Sequence, residues 1–565
     1  MMDFSGMLAM IWLWPLLFAL GLAWPRLRPY GIKLLPWALL PAGLLWFGFG
    51  WQLLADSSVT LKLEWPNILV GTRLNLDRLG FVWLSLSLIV WGVAALHSRW
   101  VQDVYAWRYA LFFLLSLAGS LGLVVAADAV SFYLTFSLMS LAAWGLVIHE
   151  RHASAQRAAR WYILLAILGE LWLFVGIVAR AAELGTTDLS IWAQTSSAGW
   201  GLALIWLGLA VKIGVPILHI WLPLAHPAAP VPASAVLSGV MIKAGIIGWW
   251  LLLPSQAMAN NEWLWLMPWL GVATMLFGGV LGLMQTDPKA LLAYSSISQM
   301  GWLIWGIGWV WQSAQPEWMM LWVAAFAFHH ALIKAGLFLA VGWVKFSATQ
   351  ARWMPWVWGM VILLALLLAG LPFSSGALLK AEMKQVSADA LYQLPDSLLL
   401  AGSVITGLLM IQFVRRLARL EVQPKTLEKP ALISWFSLVG LALIWPYAFM
   451  TPSWDNVLSD TQPLLIAVVF ATAWRIRVNR QVHLAPGDGV VWLEAAGVKI
   501  SQLKKHQAWW LKQQQYLVYW RLKSQQKLRR FSKRIYQAER FFLNWSNYVT
   551  WLGALLLLVG LSQVF

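Results

Sequence analysis

Four lysines, Lys212, Lys243, Lys334 and Lys380, stand inside long apolar stretches of this 565-residue chain, and so do Glu170 and the pair His329 and His330. An ionisable group at a bilayer centre costs about 2.5–3.5 kcal/mol on insertion scales, so groups of this kind kept in apolar spans ordinarily move ions or protons. Low dielectric disfavours a charged ammonium and a nearby carboxylate favours it, which makes a lysine beside a movable charge a protonation switch. Glu170, in Leu168-Gly-Glu-Leu-Trp172, is the carboxylate deep in a span. It reads either as the charge partner of Lys212 or as a packing acid satisfied by a neighbouring hydroxyl.

The other groups extend this chemistry. Lys243 has no acid on its own helix; it is a mid-membrane relay, or it snorkels to an interface if the span shifts by about a turn. His330 and Lys334 are four residues apart and share a helical face. A histidine titrates near neutrality and passes a proton on either ring nitrogen, so this pair reads as a relay step. His329 points elsewhere on the helix. Lys380 follows the flexible run Leu371-Pro-Phe-Ser-Ser-Gly376 and reads as the terminal proton group, with Glu382 and Lys384 at the outer mouth. Ser137 and Asp128 complete the candidate set.

No cofactor or metal is expected in this chain. The absence of cysteine excludes structural disulfides, Cys-ligated iron–sulfur clusters and thiol catalysis, so any electron transfer would belong to another subunit. There is no HExxH, no G-x-G-x-x-G after a strand and no Walker loop. A zinc site is conceivable where His219 and His226 flank the cytoplasmic end of a broken helix, but nothing else in the sequence supports one.

The elements that must hold these groups follow from composition. With 61% hydrophobic and 11% charged residues the chain is an all-α polytopic membrane protein. A helix crosses the hydrocarbon with roughly 20 residues, and about sixteen such runs can be drawn, the first near 7–24 and the last near 547–564. Residues 1–105 give three helices and an outer hairpin, 106–260 and 261–420 five helices each, and 421–480 peripheral helices. Residues 481–545 form a basic amphipathic segment and 546–565 a last span. Two spans are broken by Pro216 and Pro372 at corresponding places in the two five-helix halves, each beside a buried lysine. Paired broken helices of this kind point to an inverted repeat with its site at the midplane; ordinary proline kinks are the plainer alternative.

Charge sets the orientation. Counted over alternate loops, sixteen Lys and Arg lie on one side and five on the other, Lys62, Arg73, Arg78, Arg180 and Lys384. The positive-inside rule then puts both termini outside a prokaryotic cytoplasmic membrane. The first span follows Asp3 and precedes Arg26 and Arg28, the reverse of a signal peptide, so it is expected to be retained. The stretch from Arg475 to Arg540 holds most of the net charge of +17 and interleaves it with Trp509, Trp510, Trp520 and Phe531. It reads as an interfacial helix against lipid or protein. A plain solvated helix is the alternative, and the flanking spans argue against nucleic-acid binding.

Several motifs together resemble the proton-conducting antiporter-like family of complex I membrane subunits, Mrp cation/proton antiporters and group 4 hydrogenase membrane subunits. They are Ala210-Val-Lys212-Ile-Gly-Val-Pro216 through Pro223, Ala229-Pro-Val-Pro-Ala-Ser234, Gln285-Thr-Asp287-Pro-Lys289 through Tyr294-Ser-Ser, the His330 to Lys334 helix, and Gly370-Leu-Pro-Phe-Ser-Ser-Gly376 through Lys380. The resemblance implies a fourteen-helix core with two inverted five-helix repeats, a lateral helix bracing neighbouring subunits, and a last span. It implies proton, or proton/cation, translocation within a hetero-oligomeric membrane complex, along a relay from Lys212 through Lys243 and His330/Lys334 to Lys380. Two departures mark a divergent member. Thr135-Phe-Ser137-Leu-Met-Ser stands where the family usually has a fifth-helix glutamate, so Glu170 is expected to substitute as the partner of Lys212, and Ser238 stands where the complex I type often has histidine. Two alternatives remain open: a proton-flux-driven partner of an inorganic-carbon uptake complex, and a scaffold silenced by loss of that glutamate.

Overall fold

The computed structural model describes residues 5–477 except 69, 197–198, 254–257, 259–265, 347–350, 388–394, 423–428, 452–453 and 455–456. The expected lateral helix (481–545) and last span (546–565) lie outside the described residues. The chain divides into two units, Met1–Ala19 with Pro29–Gly487, and Leu20–Arg28 with Asp488–Phe565. Of the second unit, residues 20–28 are described: a turn in which the Arg28 guanidinium donates to the carbonyls of Leu22 and Ala23.

In the first unit, every expected span before residue 478 coincides with a helix or a broken helix. Helix α1 (Ser5–Gly21) and α2 (Leu40–Ala55) precede the hairpin β1 (Leu61–Trp65) and β2 (Thr72–Leu76), and α3 (Arg78–His97) follows. The first five-helix set is α4 (Ala106–Val125), α5 (Ala129–Val147), α6 (Ala153–Leu184), the broken helix α7 (Trp200–Ile213) and α8 (Trp221–Ala228), then α9 (Val231–Gly239) continued by α10 (Ala244–Leu252). The second is α11 (Leu266–Leu283), α12 (Pro288–Val310), α13 (Pro316–Lys345), the broken helix α14 (Met354–Ala369) and α15 (Ser375–Ser387), and α16 (Asp396–Leu417). Helices α17 (Lys429–Ile444) and α18 (Val457–Arg477) follow. Ten of the described helices are long and apolar enough to cross a membrane, and four more apolar ones are shorter.

Short polar side chains start many of these helices. Asp77, Asp128, His152 and Asp287 accept from backbone N–H groups in the first turn of α3, α5, α6 and α12, satisfying donors that a helix start leaves open. The hairpin pairs antiparallel from Leu61↔Leu76 to Trp65↔Thr72. Its second strand binds the start of α5 and the loop after α6: the Arg73 backbone N–H donates to the Asp128 carboxylate at 2.8 Å, and the Arg73 guanidinium pairs with Asp188 at 2.9 Å.

The two breaks are built alike. Helix α7 ends on Gly214 (φ 78°) and α14 on Gly370 (φ 94°), and in each case the third residue after the glycine, Ile217 or Phe373, also has positive φ. A left-handed glycine terminates a helix without a Cβ penalty. Pro216 and Pro372, two residues beyond, cannot resume it. A third irregularity was not expected: between α9 and α10 the chain takes one 3₁₀ turn, Met241–Lys243, so Lys243 sits at a joint rather than on a continuous helix.

Packing brings the polar groups inward. Helices α6 and α7 approach over glycines: a Cβ on Gly208 would lie 2.6 Å from the Gly169 carbonyl oxygen, and one on Gly201 would lie 2.9 Å from that of Gly176. Small residues let membrane helices come this close, and Glu170 and Lys212 lie just beyond the Gly169/Gly208 contact. Helix α12 is buried at every residue. It is enclosed by protein, which explains how it tolerates Lys289, Ser295, Ser296, Ser298 and Gln299 in its sequence.

Two charges assigned to loops are corrected. Lys289 is buried at the start of α12, with its ammonium donating to the Ala229 carbonyl, and Arg180 is fully buried in α6 with Glu183 at 3.1 Å. The first turn of α12 and the Arg180 position of α6 lie inside the protein, where hydropathy alone places a loop.

Candidate functional site

In the first half, Lys212 and Glu170 line one cavity of about 10 Å³, at the lower limit for a single water, with Phe136, Ser140, Tyr162 and Trp221. Each of the two charges meets hydroxyls. Ser137 donates to Glu170, and the Lys212 ammonium donates to Ser140 Oγ at 3.2 Å and to Tyr162 OH at 3.3 Å. Tyr162 in turn donates to the Ser140 carbonyl at 2.7 Å. The ammonium also lies 5.7 Å and 5.5 Å from the Tyr162 and Trp221 ring centres, within cation–π range. Ser140 and Tyr162 were not among the sequence candidates. Ser140 follows Ser137 by three residues on one helical face, a spacing that could have flagged it.

At the centre, Lys243 donates to the Ser238 carbonyl at 2.6 Å. A second small cavity beside it is lined by Trp83, Ser87, Ser120 and Met139, so α3 and α4 reach this lysine. Lys334 donates to the Leu292 carbonyl at 2.9 Å and to Ser295 Oγ at 2.7 Å. His330 is fully buried on the same helix, and neither ring nitrogen has a hydrogen-bond partner among the described residues. His329 bonds through Nδ1 to Ser375 Oγ, the first residue of α15. The residue that helical spacing set aside is thus the one that meets the second broken helix.

On α15, the Lys380 ammonium lies 4.9 Å from the Trp302 ring centre and has no hydrogen-bond partner among the described residues. Glu382 is half-buried on the same helix. Asp128 is committed to backbone donors, those of Arg73 and Ser131. The His219 ring meets Phe277 and Tyr294, whereas that of His226 stacks on Phe338. Among the described residues no group of three or more potential metal ligands occurs.

One pattern unites the five buried lysines. Among the described residues none forms an ion pair; Lys212, Lys243, Lys289 and Lys334 donate to carbonyl or hydroxyl oxygens, and Lys380 faces an aromatic ring. An ammonium held by neutral oxygens can lose its proton without stranding a buried carboxylate, the costly outcome when one partner of a buried pair is removed.

Comparison with known proteins agrees with this architecture. The family described as NADH:quinone oxidoreductase/Mrp antiporter, TM, matches residues 126–406. Hydrogenase-4 component B of Escherichia coli (strain K12) is 31% identical over 270 residues, 46% of this chain and 40% of that protein. A putative antiporter subunit mnhA2 of Staphylococcus haemolyticus (strain JCSC1435) is 32% identical over 306 residues, 50% of this chain and 38% of that protein. The chain thus matches well under two thirds of the length of either relative. The membrane-bound sulfane sulfur reductase, an archaeal respiratory membrane complex, contains a chain of the same fold, with a TM-score of 0.66 and 20% identity over 82% of this chain and 99% of that one. Over residues 126–406 the chain belongs to the NADH:quinone oxidoreductase/Mrp antiporter transmembrane family.

Proposed function

We propose that this family member is a proton-translocating, or proton/cation-exchanging, subunit of a multi-subunit membrane complex. In this reading the two five-helix sets form an inverted repeat. Protonation alternates between Lys212 and Lys243 under the control of Glu170, passes to His330 and Lys334, and leaves through Lys380, with His329 at the joint to α15. The observation that carries the reading is the row of buried lysines held by neutral oxygens or an aromatic face rather than by carboxylates. A transferable charge needs a partner that tolerates both protonation states, and neutral oxygens or an aromatic face do. Glu170, which accepts from Ser137 and lines the same cavity as Lys212, supplies a charge close enough to bias that lysine without locking it.

The test is proton flux in proteoliposomes containing the complex. Lys212→Ala or Lys380→Ala is expected to abolish coupled transport while the complex assembles normally. Wild-type flux in both variants would sink the scheme and favour a scaffold role.

A further inference from the structure

We infer that the Ser238–Ser296 hydroxyl pair is a positioning link between Lys243 and Lys334, joining the backbone carbonyls those lysines grip and reporting the state of one ammonium to the other. The inference rests on the relay reading above. Ser238 is in the last turn of α9 and Ser296 is on α12, so the pair bridges the two five-helix sets. Both are fully buried, and their Oγ atoms are 2.7 Å apart.

Each end of the pair leads to a lysine. On one side, the ammonium of Lys243 donates to the carbonyl of Ser238 itself. On the other, Ser296 Oγ lies 2.9 Å from the Leu292 carbonyl oxygen, within reach of donating to it, and that oxygen accepts from Lys334 at 2.9 Å. A carbonyl oxygen has two lone pairs, and within an α-helix the backbone N–H four residues on takes one of them. Ser296 and Lys334 therefore compete for what remains.

That competition gives the pair two arrangements. When Lys334 withdraws, Ser296 donates to Leu292 and Ser238 donates to Ser296. When Lys334 grips Leu292, the Ser296 O–H turns to Ser238 Oγ. No proton leaves either serine; the bond between them reverses, and in the second arrangement the Ser238 O–H gives up its acceptor. Two ammonium groups brought into direct contact would repel, whereas an uncharged pair of hydroxyls couples them without adding charge. Reversal changes the bonding of Ser238, whose carbonyl holds Lys243 at the 3₁₀ turn Met241–Lys243.

The experiment is proton flux by the full-length chain, purified with its membrane partners and reconstituted in proteoliposomes, for Ser238→Ala, Ser296→Ala and the double variant. Each single change is expected to lower flux on the order of tenfold, as loosened positioning of a reacting group does. The double variant should fall no further than either single one, because the two act as a unit. Ser296→Thr, which keeps the hydroxyl, should restore most of the flux; the alanine cycle stands without it if the added methyl does not fit. Additive losses, or wild-type flux in both alanine variants while Lys243→Ala and Lys334→Ala abolish transport, would overturn the link and leave the relay standing. Undiminished flux in the two lysine variants would overturn the relay reading and the link with it.

Discussion

Ser137 stands in contact with Glu170, so the site keeps a carboxylate although the fifth-helix position that usually supplies one carries a hydroxyl. In the proposed scheme Glu170, one helix along, takes that role, since it lines one cavity with Lys212, whose ammonium donates to Ser140 and Tyr162. A reciprocal exchange tests this. Glu170→Ala is expected to reduce proton flux on the order of a hundredfold, the scale of losing a group that assists proton transfer. Adding Ser137→Glu should recover a substantial part of it, because the new carboxylate stands where the old one was held. Flux that stays low in the double variant, with normal assembly, would show that only a sixth-helix carboxylate serves Lys212. Lys289 adds a different lesson: it is buried like the other four lysines, but its ammonium closes the carbonyl end of α8. A cation at a helix C-terminus is favoured by the helix dipole.

At the scale of elements, the site depends on how closely α6 meets α7. Gly208→Leu drives a side chain into the Gly169 carbonyl and the backbone of Leu173, and overpacking of this kind typically costs about 1–3 kcal/mol. The expected result is a lower thermal unfolding midpoint and lost flux, since separation of these helices draws Lys212 away from Glu170. Gly440→Ala on α17, where an added Cβ meets nothing within 4 Å, should leave both unchanged. The two breaks show economy of design at this scale: the same glycine, then proline two residues later, then a positive-φ residue, occurs at Gly214–Ile217 and at Gly370–Phe373. Each break is followed by a helix, α8 or α15, wholly or partly enclosed by the protein, and Lys380 lies on the second of them.

At the scale of the whole molecule, the hairpin, the start of α5 and the loop after α6 meet through Arg73, Asp128 and Asp188. All three belong to loops that the charge rule places on one side. The chain has no cysteine, which makes that orientation directly measurable. A cysteine introduced at Ser58 should react with an impermeant maleimide added to the outer face of intact cells. One at Ser154 should react only after the cytoplasmic face is opened. The opposite pattern would invert the topology and the direction assigned to the relay. Both positions are exposed in the structure.

Apolar length, loop charge and the positions of Pro216 and Pro372 were legible in the sequence because each reflects a local cost: hydrocarbon solvation of a helix, translocation of a cation, or a missing backbone donor. The same cost singled out Lys212, Lys243, Lys334, Lys380 and Glu170, since a charge in an apolar run is visible without knowing its neighbours. Which oxygens those charges meet depends on side chains far apart in the chain, such as Ser140 with Lys212 or Leu292 with Lys334. Only packing could decide it. Serine hydroxyls and backbone carbonyls carry no signature in composition or period, and burial of Lys289 and Arg180 follows from which helix ends the fold encloses. The sequence by itself determined that charges are buried here; the tertiary structure decided that the lysines are held by neutral partners, because those partners are brought together only when helices distant in sequence come into contact.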